Sequence, residues 1–74
     1  MKIFVLEESV SQLGLVLAAF DEIAEPGDRL HAATSFERAV NVFRPPYDLM
    51  ALDRRLDKRQ YVELLENARR RTRA

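Results

Sequence analysis

Cysteine is absent from this 74-residue chain, and histidine occurs once, at His31. The first absence excludes a disulfide framework and any thiolate metal site. The second excludes a multi-histidine metal centre within one chain. No run approaches the ~20 consecutive apolar residues of a membrane-spanning helix, and the N-terminus carries no signal-peptide pattern. A soluble cytoplasmic protein without membrane contact is therefore expected. Seventy-four residues make one small domain, since single domains usually run ~50–200 residues. A chain this short buries only about 60–65% of its unfolded surface, which leaves it marginal unless a partner helps.

What the chain does have is charge, distributed unevenly around a net of zero. Residues 1–53 carry nine acidic and four basic side chains, a balance of −5, and residues 54–74 carry three and eight, a balance of +5. Within a single domain over 1–74 this separates an acidic portion, 1–57, from a basic C-terminal segment, 58–74. Such asymmetry suits an acidic site with a basic arm, or complementary surfaces on one chain.

Short apolar runs alternate with helical periodicity. "KIFVL" (2–6) is β-branched, aromatic and apolar on both faces, as a central parallel strand is. Ser9 or Ser11 caps a following helix whose stripe is Leu13, Val16, Leu17, Phe20 and Ala24, and "EPGD" (25–28) stops it. "RLHAAT" (29–34) is the second strand. Ser35 then caps a short helix with Phe36, Ala39, Val40 and Phe43 on one face. Pro45-Pro46 forces an extended connection, and "YDLMAL" (47–52) is the third strand, ending at Asp53. Asp57 and Gln60 form a cap for the last helix, whose stripe is Tyr61, Leu64, Leu65 and Ala68. The order βαβαβα predicts an α/β fold with a three-stranded parallel sheet. Loops at the carboxyl ends of such strands hold the site, and there the first strand delivers Glu7 and Glu8 and the third delivers Asp53.

Two stretches carry a resemblance. "IFVLEES" and "YDLMALDRRLD", whose Asp53 lies 45 positions on from Glu8, resemble the receiver domains of two-component response regulators. Those domains open on a strand ending in two acids and later present a "YDL…LD…L" strand ending in the phosphate-accepting aspartate. The resemblance implies strand order 2-1-3, Asp53 at the phosphoacceptor position, and Mg²⁺ held by Glu7, Glu8 and Asp53, with glutamates where the family has aspartates. "VLEE" with "LDxxL" also resembles a receiver variant thought to process cyclic phosphates, whose "LDHDL" is here altered by Arg54 and Arg55. The likeness covers the first three-fifths of the family fold. Only 21 residues follow Asp53, so the downstream Ser or Thr and the Lys of a full receiver have no counterpart.

That departure shapes the functional expectation. Carboxylates at a strand edge bind a hard cation such as Mg²⁺ through oxygen, and a bound ion would ready Asp53 to attack a phosphoryl donor. Longer glutamates and the missing lysine weaken that chemistry, whereas Arg54 or Arg55 either substitutes for the lysine or sits over the acids as a salt-bridge lid. The order 2-1-3 also leaves the third strand as an apolar edge, and such an edge invites another chain. The leading expectation is a non-enzymatic regulatory module, a half-receiver completed by homodimerisation or by a signalling partner. Met50, Leu52, Leu56, Tyr61, Leu64 and Leu65 are its expected contacts. A Mg²⁺-dependent phosphoacceptor or cyclic-phosphate-handling domain is the first alternative. The second is a nucleic-acid-associated factor using Arg54, Arg55, Arg69, Arg70, Arg71 and Arg73.

Overall fold

A computed structural model describes residues 1–72; Arg73 of the basic cluster lies outside these, as do the side chains of Ala68 and Arg71. The elements follow the expected order: β1 (Lys2–Leu6), α1 (Val10–Ile23), β2 (Arg29–Ala33), α2 (Phe36–Val42), β3 (Leu49–Leu52) and α3 (Lys58–Thr72). Both strand pairings are parallel, and the sheet order is β2-β1-β3.

Local chemistry sets the element ends. Ser9 Oγ accepts the Gln12 amide at 3.3 Å and starts α1. Ser35 Oγ does the same for Arg38 at 3.2 Å in α2. Asp57 and Gln60 bond each other's backbone amides at 2.9 and 3.0 Å, a reciprocal cap for α3. Gly27, at φ 95°, makes the turn into β2 in a conformation that costs a side-chain-bearing residue more. Two strands are shorter than expected. Thr34 falls outside β2, and Tyr47 and Asp48 precede β3. Asp48 instead anchors the chain side-on: its carboxylate accepts the Lys2 amide at 2.7 Å, and its own amide donates to the Lys2 carbonyl at 2.8 Å.

The sheet has unequal faces. On one, Phe4, Leu6, Ala33, Ala39, Phe43, Leu56 and Leu64 form the main core, with Tyr47, Met50, Leu52 and Tyr61 packed against it. Phe4, Phe43 and Tyr47 cluster with ring centroids 4.8–5.3 Å apart. Tyr47 also ties down the single histidine. Its hydroxyl accepts the Arg44 amide at 2.8 Å and lies 2.7 Å from His31 Nδ1. On the opposite face α1 covers only β1 and β2, through Ile3, Val5 and Leu13 with Phe20, Leu30 and Ala32. Of the expected α1 stripe only Leu13 is buried, while Val16 and Leu17 are exposed and Ala24 serves as the helix C-cap.

The expected contact set divides accordingly. Leu56 and Leu64 are buried in the chain's own core and are not available to a second chain; Met50, Leu52 and Tyr61 are half-buried; Leu65 is exposed. The 3.6-residue period places Leu64 inward and Leu65 a full 100° further round, so adjacent leucines have opposite fates.

Candidate functional site

Asp53 follows β3 immediately, at the carboxyl edge of the sheet, and is the buried charged residue among those described. Burying a carboxylate requires that its oxygens be paired, and here the partners lie close in sequence. Oδ1 accepts the Arg55 backbone amide at 2.9 Å and Arg55 Nε at 3.2 Å. Oδ2 accepts Arg55 Nη2 at 2.9 Å and the Glu8 backbone amide at 3.1 Å. The guanidinium therefore grips both oxygens in the fork geometry that makes Arg–carboxylate pairs strong. This arrangement holds the Asp53 carboxyl well below the usual carboxylate range, chiefly through the Arg55 guanidinium, then through the Arg55 and Glu8 amides. Reciprocally, the Arg55 pKa is raised, first by its bond to Asp53.

The surrounding backbone is fastened to the same residue. Asp53's carbonyl accepts the Leu56 amide at 3.1 Å and the Tyr61 hydroxyl at 2.9 Å. The first bond closes the turn out of β3, and the second ties that turn to α3. Tyr61 was expected only as a packing residue; a Tyr eight positions after an acid has no sequence signature for such a bond.

The three expected magnesium ligands do not converge. Glu7 Oε2 lies 3.5 Å from Arg55 Nη2, making Arg55 a bridge between Glu7 and Asp53. Glu8 contributes its amide to Asp53 while its side chain is exposed. Among the described residues no three His, Asp or Glu side chains group so as to hold a metal ion. The physical reason is local: Arg55 folds back across two residues and places its positive charge at the edge where a cation would sit. A cleft of about 640 Å³ borders the cluster, lined by Glu7, Ser9, Gln12, Leu52, Asp53, Arg54 and Arg55.

The basic cluster is likewise divided. Arg55 is engaged with the acids, while Arg54, Arg69 and Arg70 are exposed. Chemically, then, Asp53 is an ionised carboxylate whose lone-pair directions are all occupied. It becomes a nucleophile or a ligand only after Arg55 departs. Among the described residues no helix is long and apolar enough to cross a membrane. In comparisons with known proteins, the chain matches no family model, no curated protein and no solved structure.

Proposed function

We propose that this chain is a non-enzymatic regulatory module on a receiver-like α/β scaffold, working in the cytoplasm by docking to another protein. The observation that supports this reading is the capture of Asp53 by Arg55. The residue in the phosphoacceptor position is saturated by four hydrogen bonds from within the chain. Its charge is thus used to shape the β3–α3 turn. The contact surface of the module is the face of β3 that carries Leu49, which is 55% exposed and which α1 does not cover. Apolar surface in that position is characteristic of a docking site.

The test is incubation with acetyl phosphate and Mg²⁺, and separately with beryllofluoride and Mg²⁺. Intact mass and backbone amide NMR serve as readouts. The docking reading expects no phosphoryl adduct and no movement of the Glu8, Asp53 and Arg55 amides. A phosphoryl adduct that disappears in Asp53→Asn would replace this reading with the Mg²⁺-dependent phosphoacceptor.

A further inference from the structure

The edge strand specifies its own occupant. Arg29 donates its amide to Met1 O at 2.9 Å, and Glu7 donates to Ala33 O at 3.1 Å. Odd-numbered residues of β1 therefore turn their N–H and C=O groups toward β2, and even-numbered ones turn toward β3. Phe4 lies level with Met50, and Leu6 with Leu52. In a parallel pair only one residue of each level couple bonds across, so Leu49 and Ala51 bond to β1 while Met50 and Leu52 direct their backbone groups outward. Asp48, which precedes the strand, turns its amide to Lys2, so the outward pattern begins at Met50.

The four residues Leu49–Leu52 contain no proline and no charge, two of the devices by which exposed edges are usually blunted. The opposite edge, β2, contains Arg29 and His31. Just outside β3 stand two exposed opposite charges, Asp48 before it and Arg54 after it. A strand flanked in this way is complementary to itself when reversed.

The geometry points to a second copy of this chain as the partner at the β3 edge, paired antiparallel, with Met50 of one copy opposite Leu52 of the other. This inference rests on the docking reading and names its partner. In this register each Met50–Leu52 couple exchanges both backbone bonds, the two couples being related by a two-fold axis. Ala51 of each copy meets its equivalent on that axis. Asp48 of each copy falls opposite Arg54 of the other, so both ends of the ladder carry an opposite-charge pair. A parallel arrangement would instead place like charges side by side. The result is a continuous six-stranded sheet in which the outward backbone groups of Met50 and Leu52 are paired.

The absence of native cysteine makes the register directly measurable. Across a non-hydrogen-bonded antiparallel couple the Cα atoms stand ~4.5 Å apart, inside the ~4.4–6.8 Å span of a disulfide. Ala51 is exposed, so Ala51→Cys leaves the monomer's packing intact, and mild oxidation is expected to convert it almost wholly to a disulfide-linked dimer. Leu49→Cys is the control. It is exposed on the same face, but its two copies would lie about 13 Å apart along the strands at ~3.4 Å per residue, and it should remain uncrosslinked. The unmodified protein should sediment at twice its 8.6 kDa mass at high micromolar concentration, and Ala51→Lys should be monomeric with an unchanged circular dichroism spectrum. The inference is overturned by a wild-type monomer, by a dimer that survives Ala51→Lys, or by preferential crosslinking through Leu49→Cys. The docking reading itself falls only to phosphorylation at Asp53, so the two failures are distinguishable.

Discussion

At the residue scale the decisive fact is that a positive charge two positions after Asp53 reaches back to it. A buried carboxylate with its folded-state pKa depressed contributes stability that is fully present above its unfolded pKa, ~3.9. That contribution is lost as the pH falls below that value toward the folded pKa. Acid unfolding should therefore begin below about pH 4, and the stability gap between wild type and Asp53→Asn should narrow over the same range; urea melts at a series of pH values measure it. Arg55→Ala removes the largest cause of the shift, so the Asp53 carboxyl should titrate closer to its ordinary value in a carbon-detected NMR titration. An Asp53 titration indifferent to Arg55→Ala would show that the backbone amides suffice. Tyr61→Phe deletes one hydrogen bond to the Asp53 carbonyl and leaves the ring, so a loss of about 1 kcal/mol is expected in a chemical denaturation experiment.

At the scale of elements, each helix is started by a side chain and retained by packing. Asp57→Ala removes half of the reciprocal cap on α3 and should cost about 1 kcal/mol, read as a drop in helicity and melting temperature. The two adjacent leucines of α3 separate core from surface. Leu64 is fully buried, so Leu64→Ala should cost about 2–5 kcal/mol, whereas Leu65→Ala, at an exposed site, should stay within about 0.5 kcal/mol. Much of this was legible beforehand. Ser9, Ser35 and the Asp57–Gln60 pair were all recognisable because capping is a contact between neighbours in sequence. The shortening of β3 was not legible, because Asp48 bonds to Lys2, which the chain brings close only after folding.

For the whole molecule, the sheet is covered well on one face and partly on the other. A domain of this size has a stability of about 4–11 kcal/mol at the usual value per residue. Loss of Phe4, which is fully buried at the centre of the main core, is expected to cost about 3–5 kcal/mol. Phe4→Ala should thus lose a large share of that margin, read by circular dichroism as a lower urea midpoint and melting temperature. If two copies complete the sheet, the melting temperature should rise with protein concentration and Ala51→Lys should abolish that dependence. The Asp48–Arg54 pairs at the ends of the ladder are exposed, so added salt should weaken the dimer only modestly.

The order of residues alone implied the succession of elements and the delivery of Glu7, Glu8 and Asp53 to one edge. Both follow from local patterns: apolar runs of strand length, helical spacing, capping side chains and parallel connection rules. How those acids are paired is visible only in the folded chain. Whether Arg54 or Arg55 covers them depends on the direction of the β3–α3 turn, since a guanidinium reaches several ångströms and one residue's rotation carries it to the opposite side. The same holds for the leucines of α3 and for the stripe of α1, where periodicity identifies an apolar face but not how much sheet lies beneath it. A three-stranded sheet is too narrow to bury all that its helices present, so Val16 and Leu17 of α1 stay exposed, and β3 is an edge because no described strand pairs with its outer side.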